Sequence, residues 1–141
     1  MPMHPIEAVE EPSWLRVARR GIAVATGAYG AFLLFATHYP KPEKLVGGRL
    51  PPDKLMHFVA YGLLGSLVAS TLVAYGRRDV GTLMRLVVVL AIAAIFDELT
   101  QPLFGRNAEV GDWVFDCVGL AVGSGLVFLS SWAWARGTRR R

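Results

Sequence analysis

The sequence predicts an all-α fold, an integral membrane bundle of four transmembrane helices with both termini cytoplasmic. Three observations lead there. Four predominantly apolar stretches, at residues 21–36, 55–75, 83–96 and 114–134, reach with their flanks the roughly 20 residues that a helix needs to cross about 30 Å of hydrocarbon. Mean hydropathy is positive and 53% of the 141 residues are hydrophobic. Alternation of apolar and polar residues, the mark of a half-buried strand, is absent, and four such helices in a soluble domain would lack the polar faces needed to meet water.

The first segment is preceded by Arg16, Arg19 and Arg20. No small-x-small cleavage site precedes His38, so the segment is read as a retained helix and not as a cleaved signal peptide. The second segment follows Pro51-Pro52, with Asp53 placed to cap its start. The third follows Asp79, an evident cap, and the fourth follows Gly111, with Asp112 in the capping position. Orientation comes from the basic residues. With a cytoplasmic N-terminus, Arg16, Arg19, Arg20, Arg77, Arg78, Arg85, Arg136, Arg139, Arg140 and Arg141 lie inside and outnumber Lys41, Lys44, Arg49, Lys54 and Arg106 outside, as the positive-inside rule requires. Trp14, Trp132 and Trp134 near the inner boundary, with Tyr39 and Trp113 near the outer one, fit interfacial belts. The chain thus divides into a cytoplasmic N-terminal tail (1–19), a four-helix transmembrane domain (20–135) and a basic cytoplasmic tail (136–141). That tail suits anionic lipid headgroups, and nothing in the chain offers the soluble basic surface of a nucleic-acid binder. Cys117 is the only cysteine, which excludes an intramolecular disulfide and reads as packing.

Against this apolar background, Asp53, His57, Asp97, Glu98, Asp112 and Asp116 stand at or just inside the ends of apolar segments. Intramembrane ionisable residues carry a desolvation penalty and mark functional sites. At about 100° per residue, Asp53, His57 and Tyr61 share an arc of about 80° on the second helix, with Lys54 at its margin. On the third, Asp97, Glu98 and Gln101 share about 100°, continued inward by Ala94. On the fourth, Asp112, Asp116, Gly119 and Gly123 share about 60°. Counted in turns, Asp53, Gln101 and Asp112 form an outer layer. His57, Asp97 or Glu98, and Asp116 form a second layer, and Tyr61, Ala94 and Gly119 the floor. Adjacent helical residues rarely serve alike, and one reading turns Asp97 to the interface while Glu98 faces inward. Gly119-x-x-x-Gly123 shares its side of the helix with the two aspartates, which favours close packing within the chain over a dimer face.

This excess of acid calls for a positive counterpart: bound protons, a divalent cation, or a cationic group on a ligand. His57, Glu98, Asp112 and Asp116 are competent metal ligands, but no recognised metal spacing is present and no metal is assigned. Neither cofactor nor oligomeric state is legible. His57, Glu98 and Asp116 are the candidates for any chemistry. Asp53, Lys54, Tyr61, Asp97, Gln101, Arg106 and Asp112 are the candidates for binding substrate, although Arg106 also has Glu98 or lipid headgroups as alternative partners.

The run Asp53-Lys54-x-x-His57-Phe58-x-x-Tyr61, then Asp97-Glu98-x-x-Gln101, Arg106, and Asp112-x-x-x-Asp116-x-x-Gly119-x-x-x-Gly123 resembles the signature of the VanZ-like family, small multi-pass membrane proteins named for a teicoplanin-resistance protein. The likeness covers roughly residues 20–130. It implies a protein of the inner (plasma) membrane acting at the cell envelope, in contact with membrane lipids, and linked to glycopeptide resistance. One position departs: the family pattern usually has asparagine where Asp116 stands. Two function classes follow from the stripes and the resemblance. In the first, an outward-facing polar pocket binds or modifies an envelope lipid or lipid-linked precursor. Lys54 and Arg106 meet a phosphate or carboxylate there, and His57 with Glu98 handles a proton. In the second, the acids form a relay for a proton-coupled small transporter or flippase, which with four helices would need an oligomer. A structural or scaffolding role is the third reading.

Overall fold

The computed structural model describes residues 12–40 and 52–138. The basic residues Lys41, Lys44, Arg49 and Arg139 to Arg141, and positions 1–11 of the N-terminal tail, lie outside the described residues. Four long helices account for nearly all of the described chain: α1 (Ser13–Thr37), α2 (Asp53–Ala74), α3 (Val80–Thr100) and α4 (Val110–Thr138), with a short 3-10 turn at Gln101–Phe104. No strand occurs among the described residues. All four helices are long and apolar enough to cross a membrane, so the all-α, four-helix class read from the sequence holds. Residues 13–19, read as tail, are helical and extend α1 at its start.

Local chemistry explains where the helices stop. Gly76 adopts φ 74°, and the amides of Gly76 and Arg77 bond back to the carbonyls of Val73 and Leu72, at 3.0 and 2.8 Å. This is a Schellman ending, which needs the left-handed conformation that glycine adopts without a Cβ penalty. Asp79 then caps α3, accepting from the Thr82 amide at 2.7 Å. At the far end of α3, Pro102 has no amide to continue the ladder, and Gly105, at φ 77°, turns the chain.

The core of the bundle is the α2–α4 pair. Gly62 and Gly65 on α2 face Gly119 and Gly123 on α4, and the two backbones run in contact. A Cβ on Gly65 would sit 2.6 Å from the Leu120 carbonyl oxygen, and one on Gly123 or Gly119 would overlap the carbonyls of Gly62 or Phe58. Small residues let helices approach this closely where lipid offers no hydrophobic drive for association. The glycines of α4 therefore serve packing within the chain, as expected. Their counterparts on α2 carry no comparable sequence signal, because Gly62 and Gly65 are spaced three apart in an otherwise ordinary apolar run.

The outer helices are held by a few apolar contacts and by hydrogen bonds. Leu33, Tyr61, Leu64, Ala94 and Leu120 form one buried cluster, and Ala69, Leu83 and Phe128 a second, nearer the other end. Thr26 on α1 meets Thr71 on α2 at 2.8 Å, and the Tyr29 hydroxyl donates to the Ala60 carbonyl at 3.0 Å. Trp113 on α4 donates to the Ala91 carbonyl of α3 at 3.0 Å and packs against the first cluster, so it joins two helices. Trp14, Trp132 and Trp134 are exposed, and the Arg136 guanidinium lies 3.4 Å over the Trp132 ring.

Candidate functional site

The polar side chains collect at the end of the bundle where α1 and α3 finish and α2 and α4 begin. The physical reason is the stripe geometry. Residues four apart on one helix lie on the same face, and the glycine seam fixes the rotation of α2 and α4, so their polar stripes face each other. His57 and Asp116 meet there, with His57 Nδ1 2.9 Å from Asp116 Oδ1. Both are buried, Asp116 at 1% exposure. His57 Nε2 points towards Asp112, 4.0 Å from Oδ2. Asp112 Oδ1 lies 3.8 Å from Lys54 Nζ, which also pairs with Glu109 at 3.1 Å. Lys54 and Glu109 are about half exposed, whereas Asp112 is buried, so this chain of charges runs from the surface inwards.

Asp97 and Glu98 are both buried, contrary to the reading that turns Asp97 to the interface. Neighbours on a helix point about 100° apart, and here each direction has its own partner. Asp97 turns to α1 and α2: Thr37 Oγ1 donates to Oδ1 at 2.9 Å, the Tyr61 hydroxyl donates to Oδ2 at 3.3 Å, and His38 Nδ1 stands 3.3 Å from Oδ1. Glu98 turns to α4. Gln101 Nε2 donates to its Oε2 at 2.9 Å, and the Glu109 amide donates to Oε1. Arg106 does not pair with Glu98. It donates to the Thr37 carbonyl at 3.0 Å and lies 3.5 Å from Asp53 Oδ1, tying the α3–α4 connection to the ends of α1 and α2.

Capping is not the role of Asp53 or Asp112. Pro52 occupies the N-cap of α2 and no side chain caps it; Asp53 lies inside the first turn, where its charge complements the helix dipole. Asp112 likewise lies in the first turn of α4, and its buried Oδ1 makes no hydrogen bond. All ten candidate residues therefore gather at one end: His57, Glu98, Asp116, Tyr61, Asp97, Gln101 and Asp112 buried, with Asp53, Lys54 and Arg106 around the rim. Sequence reasoning missed Thr37 and His38 on α1, and Glu109 in the connection. Thr37 and His38 end an apolar run at the level of Asp97, the signal that would have found them. Glu109 shows no such signal, because its part is played by a backbone amide and a surface ion pair.

A mainly apolar groove of about 320 Å³ lies next to the polar end between α1 and α2, lined by Tyr29, Leu55, Met56, Val59 and Ala60. Chemically, a buried imidazole paired to one carboxylate and facing another can take up and release a proton, and the rim carries the cations Lys54 and Arg106, each held by a carboxylate partner.

Fold and site together define a multi-pass helical membrane protein with a buried acid–histidine network at one end. The VanZ/LLP1 family model matches residues 14–131, and the chain belongs to that family. No curated protein and no solved structure matches the chain at a significant level.

Proposed function

We propose that the polar end opens on the outer face of the plasma membrane and binds the anionic headgroup of an envelope lipid or lipid-linked precursor, contributing to glycopeptide (teicoplanin) resistance. The observation that carries this reading is the layering of the site. Lys54 and Arg106 stand at the rim, and the His57–Asp116 pair with Glu98 is buried behind them, His57 three residues further along α2 than Lys54. A phosphate or carboxylate meets these rim cations by displacing their exposed partners, Asp53 from Arg106 and Glu109 from Lys54. His57, flanked by Asp116 and Asp112, holds or passes a proton below the bound group. The adjacent apolar groove accommodates the start of an acyl chain. Orientation is supported by charge: among the described residues, Arg16, Arg19, Arg20, Arg77, Arg78, Arg85 and Arg136 lie towards the opposite end, against Lys54 and Arg106 at the polar end.

The test is teicoplanin susceptibility of cells carrying the parent, Glu98→Gln or His57→Gln, with membrane levels matched by immunoblot. The variants are expected to lose most of the protection given by the parent. Protection equal to the parent in both variants overturns the reading.

A further inference from the structure

We propose that His57, Glu98 and Asp116 together hold one divalent cation of the Zn²⁺ or Mn²⁺ type inside the bundle, with Asp112 positioning the histidine. Each of these three residues comes from a different helix, each is buried, and each offers a ligand atom within 4.8 Å of the other two. Metal–ligand bonds of about 2.0–2.2 Å place donors on a shared ion roughly 3–4 Å apart, so shifts of a fraction of an ångström to about one ångström close the set.

A second observation points to the same place independently. Oδ2 of Asp116 is buried and has no hydrogen-bond partner in the protein, although its sister oxygen is paired with His57. A buried carboxylate oxygen without a donor adds a desolvation cost that the His57 contact on the other oxygen does not offset, and a bound cation removes it. Among the described residues, neither basic side chain at this end does so: Lys54 is engaged by Glu109 and Asp112, and Arg106 by Asp53 and the Thr37 carbonyl. Glu98 is held from outside the set by Gln101 and the Glu109 amide, and each of its oxygens keeps a further lone pair for a metal.

The histidine is arranged as a ligand as well. When Nδ1 gives up its proton to bind the ion, Nε2 carries the N–H and faces Asp112 Oδ2, now 4.0 Å away. Closing that gap to hydrogen-bond distance would complete the carboxylate–histidine arrangement that fixes the tautomer and raises the basicity of a metal-bound imidazole. The neighbouring group of Asp53, His57 and Asp112 also brings its donors together, but Asp53 is half exposed and paired with Arg106. One imidazole with carboxylates favours a borderline or hard first-row ion over Ca²⁺, which takes six to eight oxygens, and over the soft ions that demand thiolate. The sequence offers these residues as competent ligands but not their meeting, because they are spread over three helices with none of the short ligand spacings of a one-segment site.

The experiment uses the full chain purified in detergent, stripped with a chelator, and titrated separately with Zn²⁺ and Mn²⁺ by calorimetry, with metal content measured after desalting. One ion per chain is expected, with micromolar or tighter affinity and a rise in melting temperature. Asp116→Asn, which preserves an oxygen for His57, and Glu98→Gln are each expected to weaken binding at least tenfold, and Cys117→Ser to leave it within twofold. The wild-type titration decides even if one variant fails to fold: absence of stoichiometric binding of either ion up to millimolar concentration overturns the proposal, as does unchanged affinity in folded Asp116→Asn and Glu98→Gln. No lipid enters the titration, so its outcome is separate from that of the resistance assay.

Discussion

Two regions of the same helix pair, α2 with α4, are built on opposite principles. At their shared end, His57, Asp112 and Asp116 meet through polar atoms, and a buried charge is tolerable only because a partner stands beside it. From Gly62 and Gly119 onward the pair meets through backbone, with glycine on both sides and no room for a methyl group at Gly65, Gly119 or Gly123. The comparison teaches how a small membrane protein sustains a polar interior. The seam supplies rigid, tightly packed attachment that owes nothing to charge, and the polar stripes ride on the same two helices with their rotation already fixed.

The sharpest way to break the comparison is at the seam. Gly123→Val would drive a side chain into the Gly62 carbonyl, and backbone on both sides cannot yield, so loss of folded protein is expected by size-exclusion profile in detergent. Next comes the polar end. His57→Ala leaves Asp116 buried without its ring partner, an expected destabilisation of about 3–5 kcal/mol, measurable by denaturant titration of the α-helical signal. A seam variant milder than this one would reverse the ranking of the two regions.

Smaller effects sharpen the picture. Thr37→Val removes a hydroxyl donor from buried Asp97 and is expected to destabilise by about 1–3 kcal/mol in the same titration. At the opposite end, Asp79→Ala deletes the cap of α3 and should lower the melting temperature by less than Thr37→Val does. Asp79 is held below the usual aspartate value of 3.8, first by its side-chain hydrogen bond and then by its backbone hydrogen bond with Thr82. A depressed folded pKa gives stability that is present above the ordinary aspartate pKa and disappears as pH falls through the folded value. The difference between parent and Asp79→Ala is therefore expected to shrink below about pH 3.8 when melting is followed against pH. Nothing lies within 4 Å of where a methyl group on Gly125 would sit, and Gly125→Ala is expected to leave melting unchanged or slightly raised, the control that separates seam glycines from incidental ones.

Much of this arrangement is legible in the residues. The spacing Asp53, His57, Tyr61 and the spacing Asp112, Asp116, Gly119, Gly123 each define one face of a helix, and those faces do converge. Other parts cannot be read. Asp97 and Glu98 resemble one inward and one outward residue because a single helix gives no hint that α1 lies on one side and α4 on the other. Arg106 is free to choose Glu98 on sequence grounds, but the Thr37 carbonyl and Asp53 claim it once the helix ends are brought together. That the Trp113 indole N–H finds the Ala91 carbonyl of α3 is likewise beyond the reach of the residue pattern.

The sequence by itself determined the number and kind of elements and the polar face of each. Hydrocarbon thickness and the 3.6-residue turn are fixed quantities that translate directly into segment length and residue spacing. Only the tertiary structure decided the partners: which stripe faces which, that α1 contributes Thr37 and His38, and that one oxygen of Asp116 is left without a donor. Those outcomes depend on how closely two backbones can approach and at what rotation, and that is a property of the glycine seam formed by two helices far apart in the chain.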